Sequence, residues 1–249
     1  MAYQLRLFIT ALCFFTRLPL IRWASAEEAD LNHSVRYFPL VGLIVGAAAA
    51  LGFWLADNWL PQNLAVLISM AITILLTGAF HEDGLADSAD GLGGGWTPEQ
   101  MLIIMKDSRI GSYGTVALLM VLLGKYQTLS ALDAPQLPLV MIAAHGLSRL
   151  AAVWVIATQS YVRETGKAKP LAQQITGPEL IIANVCGLAG LLWLPTYFWW
   201  ALLPVLVVWL WFSFKLRQQL GGYSGDCLGA MQQLTELAFY LGLVACSSI

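Results

Sequence analysis

The residues best suited to chemistry in this 249-residue chain lie in one short run, His81-Glu82-Asp83-Gly84-Leu85-Ala86-Asp87-Ser88-Ala89-Asp90-Gly91. Asp83, Asp87 and Asp90 are spaced four and then three apart, which on a helix places them in a single stripe. Three carboxylates on one face repel each other unless positive charge lies between them. Oxygen donors at this spacing suit Mg²⁺, which binds one or two carboxylates and keeps its other positions for water and phosphate. Glu82 is rotated about 100° from Asp83 on a helix and falls off the stripe. The plain alternative is a solvated acidic face, but such faces usually mix charges of both signs. Here the neighbours are small (Gly84, Ala86, Ser88, Ala89) and no basic residue follows before Lys106, so phosphate has room to approach.

Further polar residues flank the stripe. Gly91, Gly93, Gly94 and Gly95 are expected to break the helix and form a hinge. Thr97 then caps a new helix with Pro98 at its first position. Lys106 and Arg109 are suited to neutralise a diphosphate, Arg109 through bidentate contacts, or they simply anchor a membrane span. A late cluster runs Gly221-Gly222-Tyr223-Ser224-Gly225-Asp226-Cys227-Leu228-Gly229-Ala230, where Asp226 is placed to meet the Asp83 cluster. Glu236 and Arg149 fall inside apolar windows, where charge is expensive; Glu236 is expected to face the bundle interior, and Arg149 a polar cavity or a partner such as Glu236. Lys125 is expected to snorkel from the outer end of its span. His145 reads as a packed or capping histidine, and His81 as the better functional candidate. For a proton acceptor, His81 and Asp226 both remain open.

The elements that position these residues are membrane helices. The chain is 58% hydrophobic and 11% charged, with ten Trp and a formal net charge of −2, and its mean hydropathy is +0.69. Soluble chains are roughly 45–50% apolar and about 25% charged. The composition excludes a disordered chain, a nucleic-acid binder with a basic face and a disulfide-stapled secreted module. Cys13, Cys186, Cys227 and Cys246 form no C-x-x-C pair and read as ordinary buried residues.

A span needs about 20 mostly apolar residues. Windows of this kind run over Tyr37–Ala56, Leu64–Phe80, Ser112–Leu129, Pro138–Thr158, Glu179–Leu194, Tyr197–Phe214 and, more weakly, Cys227–Ala245. Arg6, Arg17, Arg22, Arg36, Lys106, Arg109, Arg163, Lys167, Lys169, Lys215 and Arg217 all fall on one side of these windows. The turns around Asp57, Asp133 and Pro195 carry no basic residue. Basic loops mark the cytoplasmic face. The expected fold is an all-α integral membrane protein: a polytopic bundle of about six or seven transmembrane helices with its acidic site on the cytoplasmic side. It forms one domain over 1–249, in which 81–111 is the acidic and glycine-rich region and 221–230 the second site loop. Residues 1–22 are expected to form an interfacial amphipathic segment, helical to Leu18 and ended by Pro19. A signal peptide is the weaker reading, because Arg17 and Arg22 stand where its uncharged stretch should be.

The sequence also resembles the cobalamin synthase family, the adenosylcobinamide-GDP ribazoletransferases. The resemblance is carried by Phe15-Thr16-Arg17-Leu18-Pro19, Phe38-Pro39-Leu40-Val41-Gly42 and His81-x-Asp83-Gly84-Leu85-Ala86-Asp87-x-x-Asp90-Gly91. It continues through Met105-Lys106-Asp107-Ser108-Arg109-Ile110-Gly111-x-x-Gly114, Ser148-Arg149, Gly221-Gly222-x-x-Gly225-Asp226-x-Leu228-Gly229-Ala230 and Glu236. Ser224 stands where the family commonly carries Thr. The resemblance implies an inner-membrane, Mg²⁺-dependent enzyme that joins adenosylcobinamide-GDP to α-ribazole or its 5′-phosphate and releases GMP. It implies Mg²⁺ at Asp83, Asp87 and Asp90, and substrate contacts from Lys106, Asp107, Ser108, Arg109, Arg149, Ser224 and Glu236. Its partners would be the corrinoid nucleotide, the ribazole and the lipid bilayer, with no nucleic acid; association with other cobalamin-assembly enzymes stays open. CDP-alcohol phosphotransferases and membrane prenyltransferases also hold Mg²⁺-diphosphate on spaced aspartates, but Asp87 and Ser88 stand where the D-G-x-x-A-R opening needs Ala and Arg. A transporter lined by Arg149 and Glu236 is disfavoured, because no repeated halves are visible and the polar residues gather at one side.

Overall fold

The computed structural model describes residues 3–25, 27–163 and 175–247. Its α-helices are α1 (Tyr3–Phe15), α2 (Glu28–Ser34), α3 (Phe38–Asp57), α4 (Gln62–Thr77), α5 (Phe80–Gly94) and α6 (Pro98–Ile104). These are followed by α7 (Ser112–Ala131), α8 (Leu137–Thr158), α9 (Gly177–Ala189), α10 (Leu202–Leu220) and α11 (Gly225–Ser247). Among the described residues the only β feature is an isolated bridge between Tyr161 and Tyr223. Each of the seven apolar windows is helical. Lys167 and Lys169, expected in the loop after the fourth window, lie outside the described residues.

Three continuous helical segments, Ala29–Asp57, Ala134–Thr158 and Thr196–Leu220, are long and apolar enough to cross a bilayer, with mean hydropathies of 2.1, 1.8 and 1.7. The chain is an integral membrane helical bundle. α7 and α11 have the length to span, at 20 and 23 residues, but dilute their apolarity with polar side chains turned inward. The fifth window gives a 13-residue α9 that tightens into a 3₁₀ turn over Gly190–Trp193. The sixth helix runs on to Leu220, so Lys215 and Arg217 ride on its last turns rather than following it.

α3 and α8 share the most extensive interface, and glycine sets their separation. A Cβ on Gly42 would lie 2.2 Å from the His145 carbonyl oxygen, and one on Gly46 would lie 2.7 Å from that of Met141. Glycines four residues apart let two backbones meet, which is how membrane helices gain packing without a hydrophobic driving force. α1 buries Leu7, Ala11, Leu12 and Phe15 and stops at Phe15, before Pro19. The following residue, Thr16, turns its hydroxyl back to the Leu12 carbonyl (2.7 Å).

The bend that matters for function lies between α4 and α5. Gly78 (φ 69°) and Ala79 (φ 58°) are both left-handed, and the two helices meet at 85°. α5 therefore leaves the line of α4 and lies across the polar end of the bundle. Gly78 takes this conformation freely; Ala79 does so at a steric cost of the kind found at functional sites. Gly91, Gly93 and Gly94 continue α5 instead of breaking it. Gly91 packs against α6, with a Cβ there only 2.5 Å from Met105 Cγ, which explains the glycine as a contact and not a hinge. Thr97 does cap α6, accepting from the Gln100 N–H at 3.3 Å, with Pro98 in the first turn.

Beneath α5 lies a buried polar cluster. Lys125, expected to snorkel, is only 5% exposed, with its ammonium 2.9 Å from Glu236 Oε1 and donating to Gln233 Oε1 at 2.7 Å. Arg149 does not take Glu236 as its partner. Its guanidinium donates to the His145 carbonyl at 3.0 Å and lies 3.2 Å from His145 Nδ1. His145 Nδ1 in turn is 3.5 Å from Glu236, and Gln232 and Tyr240 also donate to that carboxylate. Charges this deep persist because they are paired and hydrogen-bonded. Lys125→Met should therefore destabilise the protein by about 3–5 kcal/mol, as expected for a buried ion left alone. The double change Lys125→Met with Glu236→Gln should restore most of the loss, read as melting temperature in detergent.

Candidate active site

The acidic stripe is built where α5 crosses α11. A Cβ on Gly84 would lie 2.8 Å from the Asp226 carbonyl oxygen and 3.2 Å from Gly229 Cα; one on Gly229 would lie 3.2 Å from the His81 carbonyl oxygen. Only paired glycines permit this approach, and it sets the first turn of α11 against the face of α5 that carries Asp83 and Asp87. Asp83 is exposed and Asp87 half-buried. Burial, followed by the negative charges of Asp83 and Asp226, pushes the Asp87 carboxyl up to about 7. The sequence expectation that Asp226 meets the Asp83 cluster is thus realised in the geometry.

The chain reaches Asp226 through a turn fixed at both ends. Gly221, left-handed at φ 73°, ends α10. Tyr223 then donates its N–H to the Ser160 carbonyl and accepts from Val162 N–H, each at 3.0 Å. The buried Ser224 hydroxyl lies 3.4 Å from Asp226 Oδ2 and 3.3 Å from Cys227 Sγ. The pairing of 160–162 with Tyr223 also delivers Arg163, whose Nη2 is 2.7 Å from Asp226 Oδ2. Sequence reasoning counted Arg163 only among the basic residues that mark a membrane face. Its isolated position after the fourth window gave no sign of contact with a loop 60 residues later.

Asp90 takes a different part from its two stripe-mates. Its carboxylate accepts from the N–H groups of Gly111 (2.7 Å) and Gly114 (2.9 Å), so it caps the start of α7 and straps that helix to α5. A Cβ on either glycine would come within 2.4 Å of an Asp90 oxygen, which accounts for both glycines in the sequence. Asp83, Asp87 and Asp90 are expected from the sequence to hold one or two Mg²⁺ ions; in the structure the Asp90 carboxylate is hydrogen-bonded to these backbone amides. Among the described residues no three carboxylate, imidazole or thiol groups converge at metal-binding distance.

The cations expected at the stripe stand further out. Lys106, Ser108 and Arg109 are exposed on the segment between α6 and α7, and Arg109 forms an ion pair of 2.7 Å with Asp107. Asp107 and Arg109 line an open hollow of about 230 Å³ together with Asp90, Gly111, Ser112 and Tyr113. His81 faces the other way. It is buried, stacked on Phe15 with ring centroids 5.5 Å apart, and neither ring nitrogen has a hydrogen-bond partner. Burial, then the charge of Arg149, holds its imidazole well below the usual value. Arg149 and Glu236 belong to the buried cluster and not to the stripe. Glu82, off the stripe as expected, accepts from Gln233 at 2.9 Å and so ties α5 to that cluster.

Asp87 gives the site a pH signature. The folded protein binds its proton near pH 7, whereas the free carboxyl does so near 3.8. The folded state thus holds more protons across that window, and stability falls as pH rises through it. In Mg²⁺-free detergent, Asp87→Asn should melt above the wild type at pH 8, and the two should converge below about pH 4.

Comparison with known proteins agrees with this arrangement. The cobalamin-5-phosphate synthase family profile matches residues 7–244. A protein of Shewanella sp. (strain W3-18-1), named adenosylcobinamide-GDP ribazoletransferase, is 46% identical over 99% of this chain and 96% of its own. Proteins of the same name from Shewanella oneidensis (47%, over 99% of this chain and 96% of theirs) and Shewanella frigidimarina (47%, over 97% and 95%) are equally similar. No solved structure matches. With the family's profile aligned from the first helix through the last, acidic crossing included, the chain belongs to the cobalamin-5-phosphate synthase family.

Proposed function

We propose that this chain transfers the cobinamide phosphoryl group of adenosylcobinamide-GDP to α-ribazole or its 5′-phosphate, with release of GMP. The polar end of the bundle faces the cytoplasm, and the protein sits in the inner membrane. The names of the relatives support the substrates. The observation that carries the mechanism is the gathering of Asp83, Asp87 and Asp226 at the α5–α11 crossing, with Asp87 pushed up to about 7.

That gathering fits a divalent cation. Burial, then the charges of Asp83 and Asp226, disfavours the ionised form of Asp87; a dication beside it would favour that form, and Mg²⁺ accepts one or two carboxylates beside phosphate oxygens. Asp83 and Asp87 are the residues that would hold it, while Asp90 keeps α7 in place. When bound, Mg²⁺ would neutralise charge on the diphosphate and on the departing GMP. The chain's own groups do the rest. The attacking hydroxyl must lose a proton, and the role of acceptor falls to Asp226, since His81 is enclosed among Phe rings on the far side. Arg109, which lines the hollow next to Asp90, and Lys106, exposed on the same segment, would meet the outer phosphate and nucleotide. Displacement at a diphosphate depends on alignment and charge neutralisation more than on covalent help from the protein, which suits a site made of carboxylates and cations.

The test is incubation of purified protein with adenosylcobinamide-GDP, α-ribazole and Mg²⁺, following cobalamin and GMP. Product should form with the wild type and vanish with chelator. Asp83→Asn should fold normally in detergent yet lose activity by about 10²-fold or more, the scale seen when a preorganised electrostatic group is removed. Wild-type turnover by that variant at saturating Mg²⁺ removes Asp83 from the mechanism, and release of CMP or of no nucleotide overturns the reaction itself.

A further inference from the structure

We infer that Arg163 is a phosphate-binding residue of this site, donating to the substrate's diphosphate from the α11 side. The inference rests on the diphosphate reading above and adds to it a cation that the motifs do not contain. Three observations lead to it.

First, among the described residues Arg163 is the cation that reaches the acidic crossing. Its Nη2 is 2.7 Å from Asp226 Oδ2, and its charge bears on Asp87 as well. Arg109, the cation named by the sequence motif, is instead paired with Asp107 on an exposed segment.

Second, the guanidinium has donors to spare. The Arg163 side chain is only 12% exposed, and beyond the ion pair that Nη2 makes with Asp226 its buried Nε has no hydrogen-bond acceptor. A sheltered guanidinium with unmet N–H groups is costly unless a ligand supplies the acceptors. Its planar fork matches two phosphate oxygens at once.

Third, the backbone leading to Arg163 is held at several points. Residues 160–162 hydrogen-bond on both sides of Tyr223, and the Tyr161 and Tyr223 rings meet edge to face at 5.7 Å. Gly222 leaves no room between the two segments, since a Cβ there would lie 2.1 Å from the Ser160 carbonyl oxygen. Such support suits a clamp for a reacting group, because misplacement by about 1 Å can cost roughly 10²-fold in rate.

In this picture the guanidinium rests near Asp226 and turns its free N–H groups to phosphate when the diphosphate arrives. Asp226 is thereby released to meet the attacking hydroxyl.

The test measures binding of inorganic pyrophosphate with Mg²⁺ to the full-length protein in detergent, which needs no turnover. Arg163→Gln should weaken binding at least tenfold, and Arg163→Lys severalfold, since lysine keeps the charge without the fork. The double variant Arg163→Gln with Asp226→Asn separates the two roles of the arginine. Binding stays weak if Arg163 contacts phosphate; a return to wild-type affinity means that it only offsets Asp226 and overturns the inference. Affinity of Arg163→Gln within twofold of wild type overturns it too, while leaving the reaction intact if the wild type makes cobalamin. Failure of the wild type itself to bind pyrophosphate removes the diphosphate reading along with it. Should Arg163→Gln show no melting transition, Arg163→Lys decides, and unchanged affinity in that variant is the overturning result.

Discussion

The structure depends on how closely two helices can approach at Gly84 and Gly229. Any side chain at Gly84 would strike the Asp226 backbone, and the separation it forced would part the carboxylates of α5 from that of α11. Bringing like charges together is unfavourable in itself, and burial makes it worse. The bundle supplies the rigidity that holds them: α5 is strapped to α7 through Asp90 and the Gly111 and Gly114 amides, and fastened underneath through Glu82 and Gln233. The stripe is thus a loaded arrangement, held together by surrounding contacts and relieved by added positive charge.

The polar cluster inside the bundle has a related logic. Lys125, Glu236, His145, Arg149, Gln232 and Gln233 sit on α7, α8 and α11, the helices that surround α5 from below. Their hydrogen bonds have direction, which apolar packing between membrane helices lacks. They fix the register of α11 against α7 and α8, and the Gln233–Glu82 contact passes that register to α5. Arg149 and Glu236 therefore belong to the support of the site, although their place in the sequence invites a role at the substrate.

Much of this was legible in the sequence, for identifiable reasons. Membrane windows and the one-sided distribution of Arg and Lys follow from the cost of polarity in lipid, which acts residue by residue. The carboxylate stripe follows from helical periodicity. The Thr97 cap follows from the needs of a single helix terminus. What failed to show were relations between distant segments. The partner of Lys125, Glu236, is 111 positions away and does not show in the sequence, because window hydropathy reports depth and not direction. Asp90 looks like its stripe-mates, and only the fold of the α6–α7 segment turns two glycine amides toward it. The glycines of 91–95 read as a hinge because glycine weakens isolated helices, yet Gly91 and Gly95 pack tightly against Met101 of α6 and Gly93 against Tyr113 of α7. Arg163 was hidden by an alignment of 160–162 with Tyr223 that no local pattern announces.

The left-handed pair Gly78-Ala79 has one further consequence. By setting α5 at 85° to α4, it lays the stripe across the end of the bundle instead of along a channel through it. A ligand can then approach that end from the side without threading between helices.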